Sequence, residues 1–185
     1  MKMEVIIDIL NRNNVKSESG LSLEEIIQVE SIYGVRFPPG LKELLQILLP
    51  VQNGFVNWRD FSENNMKSIK DRLSWPLEGM MFDIEHNSFW YDSWGEKPQN
   101  IEEAKEICRR EFMNAPAMIP IYSHRYIPAE PDQRLNPVFS IYQTDIIYYG
   151  ENLVENFKIE YSEKQHHEMD FNEIKDIRFW KDLVG

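Results

Sequence analysis

The residue types best suited to chemistry lie in one short segment of the chain. Asp83, Glu85 and His86 follow one another closely, and His124 is a further histidine downstream. Because side chains alternate between the two faces of a strand, a β-strand over 80–85 would place Asp83 and Glu85 on one face. Two such carboxylates can bind a divalent cation, perform acid–base chemistry, or form an acidic surface for a basic partner. The residue types alone leave these interpretations open.

The recognised catalytic motifs are missing from the sequence. It contains no His-x-His, no His-Glu-x-x-His, no glycine-rich phosphate loop and no Gly-x-Ser-x-Gly. His166 and His167 are adjacent in a polar stretch, which is more typical of solvated side chains than of a metal site. We therefore expect no catalytic residue, no metal and no cofactor, and we assign the carboxylate segment to binding.

The single cysteine restricts the chemistry further. Cys108 has no second cysteine with which to form an intramolecular disulfide or a cysteine-based zinc site. The neighbouring Arg109 and Arg110 could activate its thiol. Without the pattern of a catalytic triad, however, an ordinary position on a helix is the better interpretation.

Tryptophans and tyrosines supply a second class of candidate. Three of the five tryptophans, Trp75, Trp90 and Trp94, lie within 75–98. Such rings most often pack in a core, but tryptophan and tyrosine also dominate the energetic centres of protein interfaces. We select Trp90, Trp94 and Tyr148 as candidate exposed anchors.

The elements that must position these residues follow from capping and periodicity. Ser22 and Glu25 form a capping box, and Gly34 is a suitable helix end. Further patterns predict helices over 3–12, 39–48, 64–73, 101–112, 153–159 and near 171–180, and a polar loop over 15–20. They also predict strands over 80–85, over 118–122 with a continuation through 128, and over 138–142 and 146–149. Pro120 favours a sheet edge or a bulge for its strand. These elements predict an α+β fold, with a mostly antiparallel central sheet flanked by helices.

Length and composition limit the possible partners. The 185 residues predict a single domain over 1–185, and 42% hydrophobic residues suffice for a sizeable core. The formal net charge of -11 argues against nonspecific binding to nucleic acid or anionic lipid, but it permits a basic protein partner. We find no signal peptide and no apolar run near the roughly 20 residues of a membrane span, so we expect a cytoplasmic protein.

Three segments in order carry a family resemblance. The first is 30–39, followed by Asn53-Gly54. The second contains Trp75-Pro76-x-x-Gly79, then Asp-x-Glu and an aromatic pair, and ends with Trp94-Gly95-x-x-Pro98. The third is 136–142, which runs on to Gly150 and Leu153. In this respect the chain resembles the SUKH superfamily, the Smi/Knr-type domain of fungal cell-wall-assembly regulators and bacterial toxin-immunity proteins. The resemblance covers about 20–160, which leaves 161–185 as a C-terminal helical extension.

The resemblance implies a non-enzymatic immunity protein that binds a cognate toxin, often a nuclease or deaminase, and blocks it stoichiometrically. On this interpretation the toxin is basic, and the chain is a monomer or weak homodimer. The expected partner-binding residues combine the carboxylate and aromatic candidates: Asp83, Glu85, His86, Trp90, Trp94, His124 and Tyr148. Two alternatives remain: a regulatory scaffold of the cell-wall-assembly type, and a small-ligand or metal-dependent enzyme that uses Asp83, Glu85, His86 and His124.

Overall fold

A computed structural model describes residues 3–185 of the chain. Within this range the chain forms six α-helices: α1 (Met3–Arg12), α2 (Leu23–Tyr33), α3 (Pro39–Ile47), α4 (Glu63–His86), α5 (Ile101–Phe112) and α6 (Leu153–Glu160). It also forms six strands: β1 (Ser17–Ser19), β2 (Leu48–Pro50), β3 (Met118–Tyr122), β4 (Arg125–Pro128), β5 (Phe139–Tyr142) and β6 (Asp145–Tyr148). The predicted α+β class is confirmed.

The main sheet is a meander in which every neighbouring pair is antiparallel. Its order is β3-β4-β5-β6, so each strand pairs with the next in sequence. Pro120 lies in the edge strand β3, and the register shifts between Pro120 and Tyr122. Both expectations for this proline are met. Proline has no backbone N–H to donate to a neighbouring strand, and at a sheet edge that donor is not needed. The β5–β6 hairpin turns at Gln143 and Thr144, as predicted.

A second, two-stranded sheet was not predicted from the sequence. Ser17–Ser19, part of the expected polar loop over 15–20, pairs antiparallel with Leu48–Pro50. Neither segment has strong strand propensity, and the pairing depends on α2 and α3 bringing the two segments together. A contact of this sequence separation leaves no local signal.

The helix pair α2–α3 forms as its local signals predict. The Ser22–Glu25 capping box is complete, with both reciprocal hydrogen bonds present. Gly34 ends α2 at a φ of 64°, in the left-handed region that favours glycine. In α3, Leu41, Leu44 and Leu45 are buried, as their spacing requires.

The largest difference from prediction is the length of α4. The sequence predicts a helix over 64–73 and a separate strand over 80–85, but α4 is continuous over 24 residues with Pro76 inside it. Proline removes one helical N–H and therefore frees the carbonyl four residues earlier, that of Arg72. The Tyr126 hydroxyl donates to this carbonyl at 3.0 Å. A residue of β4 thus supplies the partner that Pro76 cannot.

Two apolar cores lie on the two faces of the main sheet. In β4, Ile127 belongs to the core formed with α1, α2, α3 and α6, whereas its neighbour Tyr126 belongs to the core formed with α4, α5 and the C-terminal segment. Neighbouring residues divide between the two cores because strand side chains alternate. The sheet is therefore covered by helices on both faces, as expected.

The C-terminal segment differs from the predicted helical extension. Residues 161–185 contain only short 3-10 turns, at His166–Glu168, Phe171–Glu173 and Trp180–Leu183. Trp180 and Ile177 are nevertheless buried in the second core. None of the helices in residues 3–185 has the length and apolar character required to cross a bilayer.

Candidate functional site

The predicted carboxylate pair does not form. Asp83 and Glu85 lie on α4, where each residue turns the side-chain direction by about 100°, so the two carboxylates project roughly 200° apart. Asp83 is buried and Glu85 is exposed. The prediction that both share one face is therefore wrong, because it required a strand. The hypothesised metal or acid–base site of Asp83, Glu85, His86 and His124 does not come together either, because Asp83 is buried against the β5–β6 hairpin and His124 lies in the β3–β4 turn.

Asp83 is a structural anchor between α4 and the β5–β6 hairpin. Its Oδ2 accepts hydrogen bonds from the Thr144 backbone N–H at 2.9 Å and from the Thr144 hydroxyl at 2.5 Å. Its Oδ1 accepts the Asn87 side-chain amide at 2.5 Å. The helix and hairpin also approach closely at Gly79, where a Cβ atom would lie 2.6 Å from the Gln143 Cα. Asp83 is therefore unavailable to a partner.

Glu85 and His86 occupy the exposed C-terminal end of α4. Glu85 forms an ion pair with Lys105 of α5, and this hydrogen bond lowers the pKa of the Glu85 carboxyl. The His86 ring lies 4.4 Å from the ring of Phe82, centroid to centroid. Both side chains are exposed, and their role in partner binding stays a prediction.

The exposed face of α4 carries alternating acidic and aromatic side chains. We define the α4 stripe as Asp71, Trp75, Glu78, Phe82 and Glu85, all exposed. Their spacing of four, three, four and three residues keeps them within one narrow sector of the helix. Trp75 is 43% exposed and Phe82 46% exposed. The opposite face, with Ile69, Met80 and Ile84, is buried.

Trp90 and Trp94 lie in the loop after α4, outside the stripe. Their rings pack edge to face, 5.2 Å apart, and the Trp90 Nε1–H donates to the Gly95 carbonyl at 2.7 Å. Trp94 also stacks on Phe179 of the C-terminal segment at 6.3 Å. Both tryptophans are half-buried and partnered within the chain, so their predicted role as free anchors lacks the exposure that Trp75 and Phe82 have.

Tyr148 is also more buried than predicted. It lies in β6, its ring 4.8 Å from that of Phe139, and burial raises the pKa of its hydroxyl. Its backbone carbonyl lies 2.8 Å from His166 Nε2, which covers this part of the sheet edge. Tyr148 does not meet the other predicted site residues.

His124 lines a cleft at one end of the main sheet. The cleft has a volume of about 330 Å³ and is bounded by α4, the β3–β4 turn and the end of β5, with lining residues Arg72, Trp75, Ser123, His124, Tyr126 and Tyr142. Burial, and then the positive charge of Arg125, lower the pKa of His124 below its usual 6.5. The imidazole is therefore neutral at pH 7.

Trp75 joins the cleft to the α4 stripe. Its ring lies 6.4 Å from that of Tyr142, which is 56% exposed at the opposite side of the cleft. The sequence did not single out Arg72 or Tyr142, and Trp75 was set aside in favour of Trp90 and Trp94. The spacing of the stripe residues is present in the sequence, but they share one face only if the helix continues through Pro76.

Two other reactive groups lie outside this site. Cys108 is buried in α5, and burial raises the pKa of its thiol to about 12, so it is protonated at neutral pH. Across residues 3–185, no three histidine, cysteine, aspartate or glutamate side chains converge as a metal site would require. The geometry is suited to binding through rings, one guanidinium and one neutral imidazole.

The SUKH resemblance rests on the order of three short motifs. One of them includes a strand over 80–85 that ends in Asp-x-Glu, and in the structure these residues belong to α4. Comparisons of the chain with protein-family models, with curated proteins and with solved structures find no match. Membership of the superfamily therefore stays a prediction.

Proposed function

We propose that this chain is a non-catalytic protein-binding domain whose partner docks on the α4 stripe. The observation that carries this proposal is the pair of exposed rings, Trp75 and Phe82, two turns apart on a helix whose other face is buried. Large exposed aromatic side chains are typical of interface centres. Held on a long helix that is packed against a sheet, they lose little freedom when a partner binds.

The acidic residues of the stripe favour a basic partner. Asp71 pairs with Lys67, and Glu85 pairs with Lys105. Glu78, between the two rings, accepts only the Ser74 hydroxyl and has no cation within 4.0 Å among residues 3–185. With a net charge of -11 on the whole chain, this carboxylate attracts lysine or arginine side chains.

We further propose that the partner is a cognate toxin and that the chain acts as its immunity protein in the cytoplasm. A nuclease or deaminase toxin needs a basic face for its nucleic-acid substrate. An acidic helix with apolar anchors can cover such a face in a one-to-one complex and exclude the substrate. The SUKH resemblance and the acidic charge support this role.

The test is affinity capture from cells of the source organism with three baits. The wild-type chain is compared with Glu78→Lys/Phe82→Ala, which removes the centre of the stripe without touching the cleft lining. The matched control is Phe171→Ala, which truncates a ring that is 58% exposed in the C-terminal segment. Circular dichroism verifies that all three baits fold.

We expect wild type and control to retain one basic protein that the stripe variant loses. With that protein purified, calorimetry should give one-to-one binding, weakened at least about tenfold by the stripe variant. Co-expression of the chain should rescue cells from its toxicity. Equal retention by all three baits would place the interface elsewhere, and a complex that leaves the captured protein fully active would overturn the immunity role.

A further inference from the structure

The cleft beside the stripe has the composition of a small-molecule site. Three rings contribute apolar surface, those of Trp75, Tyr126 and Tyr142. Three polar groups share the same lining, the Arg72 guanidinium, the Ser123 hydroxyl and the His124 imidazole. A volume of about 330 Å³ lies within the range of ligand pockets, which combine apolar walls with a few polar groups.

Arg72 gives the cleft an available positive charge. Its Nη1 donates to the Gly54 carbonyl at 2.9 Å, which fixes the side chain but leaves the other guanidinium N–H groups unused. Among residues 3–185, Arg72 pairs with no carboxylate. No aspartate or glutamate lines the cleft, although the chain has 31 acidic residues. A guanidinium in this setting favours a carboxylate, which it can bind through two parallel hydrogen bonds.

The histidine adds polarity without a competing charge. Ser123 Oγ and His124 Nδ1 lie 3.1 Å apart, and the Nε2 atom has no hydrogen-bond partner within residues 3–185. A neutral imidazole can serve an anion as a hydrogen-bond donor. The charged residue next in sequence, Arg125, is already paired with Glu160 at 3.0 Å.

We propose that this cleft binds a small aromatic carboxylate. The carboxylate lies against Arg72, and the flat ring packs on Trp75 and Tyr142. The rings of the lining argue for an aromatic body, since a bare inorganic anion would gain nothing from them. This proposal goes beyond partner binding and does not depend on it, because Glu78 and Phe82 do not line the cleft.

The test is a titration of the purified chain with two matched probes, indole-3-acetate and its neutral amide. The readout is the two-dimensional ¹H–¹⁵N spectrum, in which the Trp75 indole signal is assigned by its loss in Trp75→Phe. We expect a saturable shift of this signal with the carboxylate and binding at least about tenfold weaker with the amide. The buried Trp58 and Trp180 should not respond.

Two arginine variants test the role of the charge. Arg72→Gln should weaken indole-3-acetate binding about tenfold to a hundredfold, and Arg72→Lys should fall between it and wild type. Glu78→Lys/Phe82→Ala should bind the probe as wild type does, which separates this result from the test of the stripe.

Three results would overturn the proposal. They are an unchanged Trp75 signal up to about 10 mM indole-3-acetate, equal binding of acid and amide, and acetate alone binding as tightly as indole-3-acetate. The probe comparisons need only the wild-type chain, so they decide the matter even where an Arg72 variant does not fold.

Discussion

Asp83 differs from Glu85, the other acid of the predicted site, because its carboxylate is buried and all its partners lie within the chain. Its two oxygens receive the Thr144 N–H, the Thr144 hydroxyl and the Asn87 amide. The residue type suggested chemistry, whereas its neighbours in space assign it to stability. Glu85, two positions later, is exposed at the surface and can contact a partner.

We predict that Asp83→Ala destabilises the protein by about 3 kcal/mol, because it removes the buried carboxylate that accepts three hydrogen bonds from Thr144 and Asn87. For a chain of this size the melting temperature should fall by roughly 6–12 °C. Urea unfolding followed by circular dichroism measures the change. Glu85→Ala is the control and should cost less than about 1 kcal/mol, since it breaks only an exposed ion pair. Equal midpoints for the two variants would refute the anchoring role.

Helix α4 is the element on which both proposals depend. Because α4 continues through Pro76, Arg72, Trp75 and Phe82 all lie on one continuous helix. The local cost of the proline is offset by the Tyr126 hydroxyl, which bonds the freed Arg72 carbonyl. Residues from two distant parts of the sequence therefore maintain the helix together.

A double-mutant cycle tests this compensation. Tyr126→Phe should destabilise the wild type by about 1–2 kcal/mol, because the partly buried Arg72 carbonyl loses its donor. In Pro76→Ala the restored N–H of residue 76 can satisfy that carbonyl, and the same tyrosine substitution should cost less than about 0.5 kcal/mol. The expected coupling is about 1 kcal/mol from chemical unfolding of the four proteins. Strictly additive costs would show that the hydroxyl does not compensate for the proline.

At the scale of the whole molecule, the C-terminal segment completes the second core. Trp180 is fully buried, 5.7 Å from the Phe112 ring, and its Nε1–H donates to the Pro116 carbonyl at 2.8 Å. The sequence predicts a docked final helix here, in an extension beyond the SUKH-like segment. Although the segment forms no regular helix, its buried side chains are part of the second core.

We therefore predict that Trp180→Ala lowers the free energy of unfolding by about 3–5 kcal/mol, the usual cost of removing a large buried ring. Phe171→Ala, in the same segment but exposed, should change it by less than about 0.5 kcal/mol. Thermal and urea unfolding measure both. If Trp180→Ala behaved like Phe171→Ala, the second core would be complete without the C-terminal segment.

Local signals were sufficient for much of the fold. The Ser22–Glu25 capping box, the leucine spacing of α3 and the hairpin around Gln143 and Thr144 each depend on residues close in sequence, and each formed as predicted. The α+β class follows from the sum of such elements. The count of one cysteine follows directly from the residue types, whereas its burial is seen only in the structure.

Tertiary structure alone decided the candidate site. Contacts from distant segments stabilise 80–85 as helix. One of them comes from Tyr126, which lies 50 positions after Pro76 and satisfies the carbonyl that the proline frees. Forming a helix instead of a strand reverses which side chains share a face, burying Asp83 and exposing Phe82. The cleft joins Arg72, His124 and Tyr142 from three separate elements. Sequence reports the propensity of each segment, but contacts between distant segments determine which propensity prevails.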